Sequence, residues 1–148
     1  MRRTTAGADE RGFTLVELLV TMVIIGILAG IAIPVFLRQR EKGMDSQARS
    51  DVYNVALAEE SYFVDHDHYA TQISTAAIPD PPAADTVYYR NSPDVDMASL
   101  VLVSDDGSAV TTDTDKAFCV EVQSHSGAWF SYNKGTGGMR PKGDRCPT

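Results

Sequence analysis

The chain has 148 residues, with 13 basic and 20 acidic side chains and a net charge of −7. That length bounds it to one domain plus appendages, and the acidic balance argues against bulk nucleic-acid binding through phosphate contacts. Hydrophobic residues make up 43% of the chain, enough for a compact core, but many of them are concentrated near the N-terminus.

The first element is a polar stretch, Met1 to Gly12, that carries Arg2, Arg3 and Arg11. An apolar run follows from Phe13 to Ile33. As a helix this run reaches roughly 31 Å, enough to cross the hydrocarbon of a bilayer. An ordinary secretory signal is cut after its apolar stretch. Here a cut between Gly12 and Phe13 comes before the run, so the run stays on the mature protein. A cut after Ala32, with small residues at Gly30 and Ala32, is the alternative; Glu17 inside the apolar core and Pro34 just past the junction weigh against it.

Glu17 is the informative residue of this run. A charged side chain deep in a membrane helix costs about 3 kcal/mol on insertion scales and is expected to have a partner. Cutting after Gly12 creates one, a free α-amino group at Phe13. Three roles stand open for Glu17. It can favour the helix N-terminus electrostatically, pair with the Phe13 amine of a neighbouring copy, or sit as a tolerated carboxylate near the membrane surface. Inside a dry assembly an unpaired charge is heavily penalised, which would make the carboxylate a register device. Gly12 has a mechanical reading beside this. A peptidase must hold the chain extended and close to its catalytic groups, and glycine removes the steric obstacle.

The segment Arg11-Gly12-Phe13-Thr14-Leu15-Val16-Glu17-Leu18-Leu19, followed by Ile24-Ile25-Gly26-Ile27-Leu28-Ala29 and Ala32-Ile33-Pro34, resembles the start of a type IV prepilin, a family that includes the related pseudopilins of type II secretion. The resemblance covers roughly a quarter of the chain. It implies that residues 1–12 are a cytoplasmic leader, cut by a membrane prepilin peptidase that also methylates the new amine of Phe13. The positive-inside rule alone is nearly balanced, with Arg38, Arg40 and Lys42 after the span. The implied partners are other copies of the chain in a helical filament, the peptidase and N-methyltransferase, an assembly platform in the membrane, and lipid before assembly. The implied location is the cell membrane first and then an extracellular filament on a prokaryotic surface. Losing the leader removes Arg2, Arg3, Arg11, Asp9 and Glu10. The mature chain then carries 10 basic and 18 acidic side chains, net −8.

Gly26 and Gly30 form a small-xxx-small pair, as in closely packed membrane helices, and Pro34 follows. Each glycine weakens the helix by about 1 kcal/mol relative to alanine, and Pro34 supplies no N–H to the ladder. Two readings stand, tight packing with a gentle kink or, by resemblance, a segment that unwinds in a filament. Beyond Pro34 the residues Met44, Ala48, Val52, Val55, Ala58 and Tyr62 recur at helical steps, with Arg49, Asp51, Glu59 and Glu60 on other faces. The spacing predicts one helix to Val64, ending near Asp65-His66-Asp67-His68. We expect residues 13–37 to be its membrane or filament-core half and 38–64 its amphipathic half.

Residues 65–148 form the expected globular head. Within it, 65–98 read as a connecting loop that contains Ile78-Pro79-Asp80-Pro81-Pro82 and, at Thr86-Val87-Tyr88-Tyr89-Arg90, a short strand. An antiparallel sheet is expected over 99–133, from Ser99–Val103, Ala117–Val122 and Trp129–Tyr132, with a hairpin turn at Ser124-His125-Ser126-Gly127. The fold class is therefore α+β: a long N-terminal helix whose second half packs on a small antiparallel sheet. The tail from Gly135 to Cys146 has no period and reads as coil. Cys119 and Cys146 would be free thiols or part of a metal site in a cytosolic protein. In an exported domain they read as one disulfide, and the apolar run favours export. The resemblance makes 119–146 the disulfide-bounded C-terminal region of a pilin.

Other clusters read more plainly. Asp65-His66-Asp67-His68 is a polar helix end. Asp105, Asp106, Asp113 and Asp115 could ring a calcium ion, which major pseudopilins often carry in that half, but their spacing does not match the twelve-residue calcium loop and turns commonly use Asp. Lys134, Arg140, Lys142 and Arg145 make a local basic cluster, so nucleic acid is a partner only at the level of a fibre that repeats it. No cofactor or metal is expected. No nucleophile–base arrangement points to an enzyme. The function implied is a structural subunit of a type IV pilus, for adhesion, motility or DNA uptake. A type II secretion pseudopilin is the alternative, and a head merely tethered by one span a more distant one.

Overall fold

The computed structural model describes residues 12–79, 82–114 and 116–148. The expected leader, Gly12 apart, lies outside the described residues. One helix, α1 (Leu15–His66), runs 52 residues. The chain divides into two compact units, one up to Arg38 and one over Gln39–Thr148.

In the first unit the helix is assigned without a break through Gly26, Gly30 and Pro34. Its apolar side chains are exposed on every side. Leu15 is 78% exposed, Met22 74% and Ile31 67%. A helix hydrophobic all round needs lipid or other protein around it, and helical hydrogen bonding satisfies the backbone where water is missing.

In the second unit, the strands are β1 (Gln72–Ser74), β2 (Thr86–Tyr88), β3 (Val95–Val103), β4 (Ala117–Ser124), β5 (Trp129–Asn133) and β6 (Gly138–Met139). The last four form an antiparallel sheet in the order β3-β4-β5-β6. Alternation along β4 turns Phe118, Val120 and Val122 towards α1, where they pack with Ala48, Val52, Val55, Ala56 and Phe130. Register follows the same face, with Leu102 opposite Phe118 and Val122 opposite Phe130. The β4–β5 turn closes through Gly127, at φ 86°, whose N–H donates to Ser124 O at 2.8 Å. The α+β class read from the sequence is the class observed.

Several details differ from the sequence pattern. The sheet starts at Val95, before Ser99, because a register shift between Met97 and Ser99 lets the strand continue past the irregularity. The tail is not all coil, since β6 pairs with β5 through Tyr132 and Met139. The connecting region holds a small parallel pair, β1 with β2, too short for hydrophobic periodicity to register. β4 is buried on both faces, because the C-terminal tail covers the side turned away from α1. There Val103, Ala117, Cys119 and Cys146 make a second small core.

The loop after β3 and the turn after β5 meet backbone to backbone. A Cβ on Gly135 would overlap the main chain of Gly107, which itself sits at φ 70°. Gly135→Ala is therefore expected to lower stability by about 1–3 kcal/mol. Gly43→Ala, on an open face of α1, is expected to raise it by up to about 1 kcal/mol. Thermal unfolding of the detergent-purified chain checks both.

Two carboxylates placed by pattern on outer faces of the helix are in fact buried, Asp51 and Glu59. Asp51 accepts from Ser92 N at 2.7 Å and Ser92 Oγ at 2.9 Å, which pins the chain entering β3. Glu59 lies under the chain that reverses at Asp67, at φ 60°, and returns over the helix. Its Oε2 accepts from Ala70 N at 3.2 Å, while Oε1 has no partner among the described residues. Burial pushes the Glu59 carboxyl up from 4.5 to about 8, and the neighbouring Glu60 adds to this against the Ala70 amide. The folded state thus holds a proton that the unfolded chain releases nearer pH 4.5. This contribution is fully present below about pH 4.5 and is lost as pH rises to about 8. Glu59→Gln keeps an acceptor and removes the titration. We expect it to flatten the stability profile across that window and to gain on the order of 3 kcal/mol over the parent above it, measured by urea unfolding.

Candidate functional site

The helix begins with Thr14-Leu15-Val16-Glu17, the spacing of a capping box. Glu17 Oε2 accepts from Thr14 N and from Thr14 Oγ1, both at 2.8 Å, and Thr14 Oγ1 accepts from Glu17 N at 3.3 Å. Two N–H groups that a helix start leaves unpaired are thereby satisfied. It is Thr14, not Phe13, whose atoms bond the carboxylate. Among the described residues both bonds fall on Oε2, so the other carboxylate oxygen keeps its lone pairs for a further donor. The sequence reading passed over Thr14, although Thr-x-x-Glu before an apolar run is a legible signal.

Gly12 and Phe13 precede the helix in non-helical chain and are exposed, Phe13 by 84%. Among the described residues, nothing lies within 4 Å of where a Gly12 Cβ would stand, so none of them obstructs a protease that needs the chain extended at that bond. Beyond the capping box, an 18-residue window of the helix has a mean hydropathy of 2.7 and no buried residue, long and apolar enough to cross a membrane. Thr21 closes its own hydroxyl on Leu18 O at 2.8 Å, as a polar group in an apolar surrounding must. Gly26 and Gly30 stand in open space on the same helix, where another helix could approach closely.

In the second unit Cys119 and Cys146 are bonded, with Cα atoms 5.7 Å apart. A second fastening lies beside the disulfide. Glu121 on β4 accepts from Arg145 Nη2 at 2.7 Å, Arg145 Nε at 3.2 Å, Cys146 N at 3.0 Å and Ser99 Oγ at 3.2 Å. Burial pushes the Glu121 carboxyl up, but the Arg145 guanidinium and the Cys146 amide outweigh it and hold it below its ordinary value. Arg145 also lies over the Trp129 ring, 3.8 Å from its centre.

The basic cluster seen in the sequence does not stay together as free charge. Lys134 pairs with Glu60 at 2.6 Å, Arg140 with Asp144 at 3.5 Å, Arg145 with Glu121 at 2.7 Å, and Lys142 with Asp45. Four cations neighbouring in sequence are thus each matched by a carboxylate. Of the acidic residues weighed for calcium, Asp106 folds into its own turn. Ser104 Oγ, Ser108 N and Ser108 Oγ donate to its Oδ1 at 2.6, 3.0 and 2.8 Å, and the two serines hold its carboxyl down at about 2. Asp115 lies outside the described residues. Among the described residues no three His, Cys, Asp or Glu side chains are placed to hold a metal ion.

Residues 8–33 match the family described as the prokaryotic N-terminal methylation motif. The chain is 39% identical over 70 residues to the type IV major pilin protein PilA of Myxococcus xanthus, covering 47% of this chain and 32% of that protein. It is 40% identical over 62 residues to the type II secretion system core protein G of Escherichia coli, covering 42% of this chain and 43% of the relative. With the core protein G of Klebsiella pneumoniae it shares 33% identity over 86 residues, 57% of this chain and 61% of the relative. The matched part thus spans between about a third and three fifths of the length of these relatives. No solved structure gives a significant match. A methylation motif laid across the Gly12–Phe13 junction, a capped apolar helix behind it and relatives of both kinds make the N-terminal part of the chain similar to type IV pilins and type II secretion pseudopilins.

Proposed function

We propose that the chain is made as a prepilin, cut after Gly12, methylated on Phe13, and polymerised from the membrane into a type IV pilus. The observation that carries this reading is the first half of α1. It is apolar on every side with no residue buried, and it opens on a carboxylate fixed in the first turn beside the proposed cut. A bilayer covers such a helix before assembly, and the helices of other copies cover it afterwards. The Phe13 amine released by the cut is the cation that Glu17 of a neighbouring copy accepts. The surface unit then gives the filament its adhesive, motile or DNA-capturing character. The prepilin peptidase and an assembly platform are the required partners.

A disulfide that closes the C-terminal region favours a filament exposed outside the cell. The similarity to core protein G supports the second reading, a pseudopilin of type II secretion. One experiment addresses both. Surface fibres are sheared from cells and the N-terminus of their main protein is sequenced. N-methylated Phe13 as the first residue of an abundant fibre is the expected result. An uncut chain, or a trimmed chain confined to the cell envelope of a secreting strain, would reject the pilus reading.

A further inference from the structure

The second unit carries a basic cavity that the pairings above do not exhaust. It has a volume near 270 Å³ and is lined by Lys42, Asp45, Ser46 and Arg49 on α1, Phe130 on β5 and Lys142 in the tail. Three cations face one carboxylate there, and Asp45 is already engaged by Lys142 and by the Ser126 hydroxyl. Arg49 and Lys142 each stand over the Phe130 ring, 5.8 and 6.0 Å from its centre, a contact that does not neutralise them. Lys42 and Arg49 have no carboxylate within 4.0 Å among the described residues. In a chain of net charge −7, an uncompensated positive cavity is an exception that asks for an anionic partner.

The other end of the same helix segment has the opposite sign. Asp65 and Asp67 are exposed and pair with no cation among the described residues, and the last carbonyls of α1 add their partial negative charge. Asp85 lies at this end too, on His68 Nε2 at 3.1 Å and Tyr62 Oη at 3.4 Å.

We propose that the Lys42–Arg49–Lys142 cavity of one copy receives the Asp65–Asp67 helix end of another, a head-to-tail contact between the globular units. This deepens the filament reading and rests on it. Unlike surfaces meeting in this way form a heterologous interface, which generates an open helical polymer rather than a closed dimer. Arg49 and Asp65 are separated by 16 positions and Lys42 and Asp65 by 23, roughly 24 to 35 Å along a helix. Copies whose segments 42–67 stand side by side at the same level present like charge to like charge. The contact therefore forms only between copies shifted along the axis, as a growing fibre requires. Charge complementarity of this kind sets register and suppresses wrong neighbours more than it adds affinity, and it is repeated at every subunit.

The test uses the full-length chain in cells that process and assemble it. The paired variant Ser46→Cys with Asp65→Cys is oxidised in sheared fibres and run without reductant. We expect a ladder of multimers from the pair and none from either single variant, because a symmetric contact would crosslink single variants as dimers. Lys42→Glu with Arg49→Glu is expected to be trimmed and membrane-bound like the parent but to lower fibre yield at least fivefold. Adding Asp65→Lys and Asp67→Lys should restore much of that yield. Parental fibres with no ladder from the cysteine pair, or full yield from the charge-reversed variant, would overturn the contact while leaving the pilus reading intact. Loss of membrane association by the charge-reversed variant would assign the cavity to lipid headgroups and overturn it too. Absence of fibres from the parent chain would remove the pilus reading, and this contact with it.

Discussion

Glu17→Val is expected to leave leader removal and membrane insertion intact and to reduce the yield of sheared filaments at least tenfold. Insertion should if anything improve, because a carboxylate in a membrane helix costs about 3 kcal/mol that valine does not. What is lost is the only acidic group in the apolar first half of α1, residues 15–37, where no side chain is buried. In a dry filament core such a charge is tolerated only with a well-placed cation, and the Phe13 amine is that cation in the proposed mechanism. The capping box supplies a control. Thr14→Ala removes the hydroxyl that bonds Glu17 Oε2 and Glu17 N, which should cost about 1 kcal/mol at the helix start. It keeps the charge, so filaments should still form. Glu17→Gln keeps an acceptor for Thr14 but drops the charge and should behave like the valine variant. Filament yields that track the cap and not the charge would refute the pairing role.

Removing the disulfide is the second large effect. Cys119→Ala with Cys146→Ala opens a link between residues 27 apart and is expected to cost about 3.5 kcal/mol on the loop-entropy model. For a unit of this size that corresponds to a fall in Tm of more than about 10 °C. The damage should be local as well as global. β4 would keep its packing on α1 through Phe118, Val120 and Val122, while the tail would hang on Glu121–Arg145 and its hydrogen bonds. Hydrogen exchange should therefore rise first in the tail around Cys146 and in the amides of β6, and last in β4. Adding Glu121→Gln should bring a further loss greater than in the disulfide-bonded parent, since the two fastenings hold the same segment. Equal losses in both backgrounds would show them to be independent.

Much of this molecule is legible because it is local. The apolar run, the acid within it and the long helix are read from neighbours a few positions apart. Hydrophobic periodicity reports such neighbours directly. The β4–β5 hairpin is legible for the same reason, since a turn of Ser, His, Ser and Gly between two alternating runs leaves little choice of partner. The capping box is as local, since Thr14 and Glu17 stand three positions apart at the start of the apolar run.

Burial of Glu59 could not be read from a helical wheel. It depends on where the chain goes after the reversal at Asp67, and only the returning segment closes the face on which Glu59 lies. The fate of the basic cluster is similar. Lys134 finds Glu60 across 74 positions and Lys142 finds Asp45 across 97. From sequence alone, then, came the resemblance to prepilins, the α+β class, the membrane-length helix and the acid at its start. Tertiary structure alone decided which charges are matched, which carboxylate is sealed from water and which face of β4 the tail covers. Propensity and periodicity act over one or two turns of chain, whereas desolvation and ion pairing depend on whatever packing brings within a few ångströms.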